Sequence, residues 1–294
     1  MFKVVSRWDH GNAIKVEWNL GKRCNYDCSY CPSFIHDKTS AHTDIIVLKR
    51  TIDTLVSIGR PIRLSFTGGE PTVHPKFEEL IHYAQSKGID WISVTTNGTR
   101  KASWYLAQTI QQWVFSLHFE YDWQKVADTI VTTAVNWQEG IVVNVMAHHD
   151  LMPQLRTVVQ IFDEHKIPHG IRRIRWTEGD HDIFDDMKYA KDDLDWILSR
   201  TSTVKSNVII DDSTQYHAND VIKLHLNKFK DWHCSAGLES LMINWDGDVH
   251  RATCRVGGSL GNMYDGTFTM PNTPVTCDRN YCTCAADIPI TKLR

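Results

Sequence analysis

Short alternations of apolar and polar residues recur along the first 176 residues, and each is followed by a stretch with helical spacing. Ile14-Lys-Val-Glu-Trp-Asn19 has period two, the pattern of a half-buried strand. From Asp44 to Ile58, Ile45, Val47, Leu48, Ile52, Leu55 and Val56 fit one helical face, and Gly59 and Pro61 stop the helix. Ile62–Phe66 is a second strand. Pro75 then opens a helix whose face carries Phe77, Leu80, Ile81 and Ala84 and which ends at Gly88. The pairing continues with a strand at Trp91–Thr95 and a helical stretch to Gln111, then a strand at Trp113–His118 and a helix at Trp123–Trp137. Ile141–Ala147 and the helix Leu151–His165 follow, and Ile171–Arg175 reads as a sixth strand.

Strands alternating with helices of this length predict a parallel α/β fold. An open sheet and a barrel share the pattern, and in both the chemistry gathers at the C-terminal ends of the strands. The candidate residues fall there: the Cys loop after Asn19, Gly68-Gly69-Glu70 after the second strand, Thr96-Asn97-Gly98 after the third, and Ser116 and His118 on the fourth. Ser116 and His118 share one face and Leu117 takes the other. Asn144 is a polar residue inside an apolar strand and needs a partner. Arg173 and Arg175 on the sixth strand could hold a carboxylate. His148, His149, His165 and His169 show no metal-binding helical spacing and read as surface residues, and most of the 11 Trp read as core or sheet-edge residues.

Beyond residue 176 the pattern changes. Residues 177–233 are charged and read as a connector, with a loop at 179–182, a short helix at Asp192–Arg200 and a strand at Val208–Asp211. Residues 234–294 hold five Cys around a hairpin: Leu241–Asn244, a turn at Asp246-Gly247, and Val249–Thr253, which brings Cys254 back toward Cys234.

The 294 residues suit one large domain, or a domain plus an appendage. The net charge of −3 is no footprint for nucleic acid. The N-terminus lacks the apolar core of a signal peptide, and no apolar run is long enough to span a membrane. Eight Cys without an export signal point to a reducing cytoplasm and to metal or redox chemistry. Three lie before residue 32 and five after residue 233, which implies two separate metal sites.

Cys24, Cys28 and Cys31, spaced C-x3-C-x2-C, can converge on a metal at little closure cost. Thiolates suit an iron–sulfur cluster or zinc. A [4Fe–4S] cluster takes four Cys, so three leave one iron open. A structural zinc needs a fourth ligand. With Tyr30 just before the last Cys, this loop resembles the signature of the radical S-adenosylmethionine (SAM) superfamily.

That resemblance, which covers about residues 14–176, implies a partial (β/α)6 TIM-type barrel. It implies a [4Fe–4S] cluster on Cys24, Cys28 and Cys31 whose open iron binds SAM. Reductive cleavage of SAM then yields a 5′-deoxyadenosyl radical that abstracts a substrate hydrogen. Gly68, Gly69 and Glu70 would hold the SAM amino group. Tyr30, Thr96, Asn97, Ser116, His118 and Asn144 would lie at the cofactor. Cys234, Cys254, Cys277, Cys282 and Cys284 resemble the SPASM or twitch extensions that bind an auxiliary [4Fe–4S] cluster. Six residues separate Gly247 from Cys254, more than the family pattern has, and five Cys support one such cluster rather than two.

The expected organisation is therefore a barrel at 1–176, a connector at 177–233 and an auxiliary-cluster domain at 234–294. No peptide-recognition domain is expected ahead of the first strand. The implied partners are a peptide or small-molecule substrate and an electron donor such as flavodoxin or ferredoxin, with no nucleic acid and no membrane. The competing reading is a non-enzymatic zinc-binding interaction protein.

Overall fold

In the computed structural model, which describes residues 3–6, 12–137, 139–174, 188–204, 207–210 and 214–294, the chain folds around two sheets. A strand that the pattern above does not announce, β1 (Lys3–Ser6), belongs to the smaller one. The larger is built on β2 (Ile14–Asn19), β3 (Ile62–Thr67), β4 (Trp91–Thr96), β5 (Gln112–Leu117), β6 (Ile141–Ala147) and β7 (His169–Arg173), each parallel to the next. The intervening helices are α1 (Ile45–Ser57), α2 (Phe77–Ser86), α3 (Ala102–Leu106), α4 (Trp123–Asn136) and α5 (Met152–Glu164). Asp44 and Asp122 cap α1 and α4 by accepting from Ile46 N and Lys125 N. The stretch leading to Gln111 is helical for only the five residues of α3, because the chain must turn for Gln111 N to reach Ile92 O at 3.0 Å.

Strand order distinguishes this sheet from a doubly wound one. A doubly wound sheet reverses its order at a switch point. Here the order β2-β3-β4-β5-β6-β7 is sequential throughout. Right-handed crossovers in a sequential sheet put every helix on the same face. That face is apolar: Ile14, Val16, Trp18, Leu64, Phe66, Ile92, Val94, Trp113, Phe115, Leu117, Val143 and Val145 are buried with the helices in one core. The alternate positions include Lys15, Arg63, Ser65, Ser93, Gln112, Asn144 and Arg172, which line a cavity of about 660 Å³ on the other face.

β7 starts two residues earlier than expected, pairing His169 with Val143 and Gly170 with Asn144. That parity puts Arg172, not Arg173, on the cavity side with Asn144. Arg175 and the loop at 179–182 lie outside the described residues. The segment read as a connector is more than that. α6 (Lys191–Ser199) packs Leu194, Trp196 and Ile197 on the main core and ties Asp193 to Arg156 at 2.8 Å. After it come β8 (Asn207–Ile210), β9 (Thr214–His217) and α7 (Ala218–Lys223).

The remaining strands are β10 (His233–Cys234), β11 (Ser240–Ile243), β12 (Asp248–His250), β13 (Ser259–Asn262), β14 (Val275–Thr276) and β15 (Lys292–Leu293). The hairpin turn forms where expected, with Gly247 at φ +87° and Asn244 N bonded to Asp248 O at 2.8 Å. Its placement differs from the expectation of a separate domain. β11 runs parallel to β2 and extends the main sheet, with β12 and β13 outside it, whereas β10, β14 and β15 join β1, β8 and β9 in the second sheet. Residues 234–294 therefore straddle both sheets, and Leu241, Ile243 and Val249 belong to the main core.

This gives a first prediction. A chain ending at residue 233 exposes the β2 edge and removes those core residues, so it aggregates or unfolds on size-exclusion and thermal melting. A monomeric, cooperatively melting truncation would contradict the shared sheet.

Candidate cofactor site

The Cys loop leaves β2 at Leu20 and is closed at its base. Cys24 N bonds Asp37 O at 2.7 Å, Asp37 N bonds Lys22 O at 2.9 Å, and the Lys22 ammonium meets Asp37 at 3.3 Å. Against this base lies the turn after β3. Gly69 N donates to Gly21 O at 2.8 Å and Glu70 N to Arg23 O at 2.9 Å. A Cβ at Gly68, where φ is +115°, would lie 2.6 Å from Gly21 O, and one at Gly69 would lie 2.3 Å from Lys22 O. The glycines therefore permit close approach to the Cys-loop backbone, where the sequence reading assigned that approach to a ligand.

Glu70 fastens this contact to the next strand. Its carboxylate is 2% exposed. It accepts from Thr72 N (3.0 Å), Thr72 Oγ1 (2.7 Å), Thr96 Oγ1 (2.9 Å) and Asn97 N (2.7 Å). Burial pushes its pKa up, and these four donors pull it back. Thr96 shares the helix-side parity of Ile92 and Val94, so it faces Glu70 and Tyr105 rather than the cavity. Asn97 turns the other way: its Nδ2 donates to Asn25 Oδ1 at 2.7 Å and lies 3.9 Å from Cys24 Sγ.

The second half of the loop rests on the chain after β5. The Tyr30 hydroxyl shares a hydrogen bond of 2.6 Å with His118 Nδ1, the two rings stack at 5.9 Å, and Cys28 Sγ is 3.5 Å from the same nitrogen. Burial holds His118 neutral, with its pKa lowered to about 4. Ser29 donates to Glu120 through both N and Oγ, Asp27 N donates to the Tyr121 oxygen, and Tyr26 stacks on Tyr121 at 3.8 Å. Sequence reading missed Tyr26, Glu120 and Tyr121; their one signal is their position just past a strand's C-terminal end. It also placed His148 and His169 on the surface. Both are buried, His148 between Tyr30 and Glu120 and His169 against Ile167 O at 2.9 Å. Asn144 finds its partner in Arg172, whose Nε donates to Asn144 Oδ1 at 2.8 Å.

The three thiols suit a cluster. Burial, reinforced by neighbouring thiols, pushes Cys28 up to about 12 and Cys31 up to about 11, and burial raises Cys24 too. Metal loading must therefore displace protons. Thiolates on one tetrahedral zinc, with Zn–S bonds of about 2.3 Å, sit about 3.8 Å apart. Among the described residues, the ligand atoms that crowd within 4.8 Å of one another are those of His148, His149 and Asp150, not the thiols.

At the other end of the chain, Cys254 has Cys234 and Cys277 as electrostatic neighbours, and Cys282 has Cys254. Cys234, Cys277 and Cys282 are buried. Lys292, 2% exposed and bonded to the carbonyls of Asp287, Ile288 and Ile290, lies among them as a buried cation. Cys284, also a neighbour of Cys282, feels Asp287, Glu17 and Lys15.

Residues 18–111 match the family model of the radical SAM superfamily. Over 89 residues the chain is 36% identical to an S-adenosylmethionine-dependent nucleotide dehydratase of Selenomonas ruminantium, a span of 30% of this chain and 31% of that protein. It is 39% identical over 85 residues to an Fe-coproporphyrin III synthase of Methanosarcina barkeri, covering 29% and 21%. A GTP 3',8-cyclase of Chlorobaculum tepidum matches at 39% over 77 residues, covering 26% and 23%. The chain thus spans less than a third of the length of these relatives, which are enzymes. In fold it resembles anSMEcpe with bound AdoMet (TM-score 0.60, 16% identity, 87% of this chain and 79% of that one). It also resembles Streptococcus suis SuiB bound to S-adenosylmethionine (TM-score 0.55, 13% identity, 86% and 64%). The matched segment and the fold support the superfamily. No helix among the described residues is long and apolar enough to cross a membrane.

Two predictions follow from this geometry. Glu70→Gln sets an amide NH2 against the N–H of Thr72 or Asn97, and a buried donor left without an acceptor costs about 1–3 kcal/mol. Urea denaturation of the metal-free variant should show that loss, and an unchanged midpoint would remove Glu70 from its fastening role. His118 protonates near 6.5 in the unfolded chain but only at about 4 when folded. Its contribution is complete above pH 6.5 and is lost as pH falls toward 4, up to about 3 kcal/mol. The metal-free His118→Gln variant should lose less stability across that window than the parent, and equal slopes would contradict the assignment.

Proposed function

We propose that this chain is a radical SAM enzyme: Cys24, Cys28 and Cys31 hold a [4Fe–4S] cluster whose open iron takes SAM, and a peptide or small-molecule substrate occupies the cavity on the polar face of the sheet. The observation that carries this reading is the convergence at the C-terminal ends of adjacent parallel strands. There the Cys loop, the turn at Gly68-Gly69-Glu70, Asn97, and the Tyr30–His118 pair form one bonded unit. With SAM, the reduced cluster supplies a 5′-deoxyadenosyl radical for hydrogen abstraction. The protein's part is positioning and the exclusion of water. Glu70 has all four of its hydrogen bonds inside the chain, so SAM recognition falls to backbone groups of its turn, with the side chain as a positioning residue. Ser116 shares the face of His118 at the end of β5, within reach of a cofactor at the loop. The order of the strands is that of a partial (β/α)6 barrel.

In the same reading, Cys234, Cys254, Cys277 and Cys282 hold an auxiliary [4Fe–4S] cluster in a twitch-like arrangement. Cys284, a neighbour of Cys282 on the side of Lys15 and Glu17, is the fifth Cys of the group. The buried Lys292 would offset the cluster's negative charge. An external reductant such as flavodoxin or ferredoxin supplies the electron.

Anaerobically reconstituted protein should be brown, carry about eight irons per chain, and convert SAM to 5′-deoxyadenosine. Replacing Cys24, Cys28 and Cys31 together by Ala should abolish that conversion, and Cys254→Ala with Cys277→Ala should leave about four irons. A colourless protein loaded with zinc, or a triple variant that still cleaves SAM, would overturn the reading.

A further inference from the structure

The cavity on the polar face of the sheet has a chemical bias that the function above does not explain. Arg172 lies on its wall. Its Nε donates to Asn144 Oδ1 at 2.8 Å and its Nη1 to Asn219 Oδ1, both neutral amides. Partial burial is the main influence on this guanidinium, and no carboxylate among the described residues forms an ion pair with it. Arg63, also on the wall, stacks over the Trp91 ring at 5.0 Å and likewise has no carboxylate partner among the described residues. Both arginines are half-buried, and a partly desolvated cation without a counter-charge carries a cost that a bound anion would offset.

The neutral groups lean the same way. His217, 9% exposed, accepts from Asn219 N at Nδ1, so its Nε2 carries the proton, which points toward the Val204 backbone at the cavity wall. Asn144 and Asn219 spend their oxygens on Arg172, which leaves their NH2 groups as donors. The other cation of the wall, Lys15, is offset by half-buried Glu17, and the one acidic side chain among the described lining residues, Glu139, is exposed. Among the described residues the wall therefore carries more positive than negative charge.

We propose that this cavity binds an anionic small molecule through a phosphate or carboxylate group, clamped by Arg172 and Arg63 with His217 as a neutral donor. The planar guanidinium matches either group with paired hydrogen bonds. The proposal rests on the reading of the cavity as the substrate site and names the chemical class of that substrate. At about 660 Å³, the cavity has the size of a small-molecule site rather than of a folded partner.

Isothermal titration calorimetry on the reconstituted full chain tests it. The probes are inorganic phosphate and succinate, with succinamide as the uncharged match for succinate. One of the two anions should bind, and succinamide should not. Arg172→Gln and Arg63→Gln should each weaken that binding about ten- to a hundredfold, the range for a lost charge-assisted hydrogen bond. Because Arg63 lies on a different strand, its variant decides the matter if Arg172→Gln fails to fold. Which anion binds separates a phosphate from a carboxylate ligand. Absence of binding by both anions, or binding unchanged in the variants, would overturn the proposal. So would loss of about half the iron in Arg172→Gln with anion binding intact, since Arg172 would then be the counter-charge of the C-terminal Cys. Iron content and SAM cleavage of the parent protein, measured on the same preparation, report separately on the radical SAM reading.

Discussion

The structure depends on one close backbone contact. The chain leaving β2 and the chain leaving β3 touch through Gly69 N to Gly21 O and Glu70 N to Arg23 O, at 2.8 and 2.9 Å. No side chain larger than hydrogen fits between them, since a Cβ at Gly69 would fall 2.3 Å from the Lys22 carbonyl. Glu70 then reaches to β4 and accepts from Asn97 N, so three consecutive strand ends are bound into one rigid edge. The Cys loop springs from that edge, and its far half is gripped by Tyr121, Glu120 and His118 beyond β5. Three thiols on a loop of ten residues would otherwise sample many arrangements. Here most of the ordering cost is met by the fold before any metal arrives.

The two faces of the sheet divide the remaining work. Strand periodicity sends Val16, Leu64, Val94, Phe115 and Val143 to the helices, where they make the core. The same periodicity sends Lys15, Arg63, Ser93 and Arg172 to the other face, where a core would be impossible. Sequential strand order keeps helices off that face and leaves room for a cavity. The C-terminal segment then serves both sheets. β11 continues the main one beside β2, while the buried Cys and Lys292 lie on and around the second.

Much of this was legible in the chain, for identifiable reasons. Strands β2 to β6 carry five to seven residues of alternation and are bounded by Gly, Pro or a polar turn, so their existence follows from local pattern. Strands of two residues, such as β10 and β15, carry no period at all, and their partners lie far away in sequence. The sequence singled out Arg173 and Arg175, whereas the pairing of Gly170 with Asn144, a register set by the neighbouring strand, puts Arg172 on the cavity side. Glu70 was visible as a motif residue, but its donors Thr96 and Asn97 come 26 and 27 residues later, so its inward bonding was not. The burial of His148 arises in the same way, from Tyr30 and Glu120, which only the fold brings near it.

The central claim is that the loop of Cys24, Cys28 and Cys31 presents a cluster with one open iron to SAM. Electron paramagnetic resonance of the reduced protein tests it most directly, recorded with and without SAM carrying 17O in its carboxylate. The account predicts a low-spin cluster signal that changes on adding SAM and broadens further with the 17O label, because the carboxylate becomes an iron ligand. A signal indifferent to SAM, or no paramagnetic centre in protein that retains its metal, would contradict it.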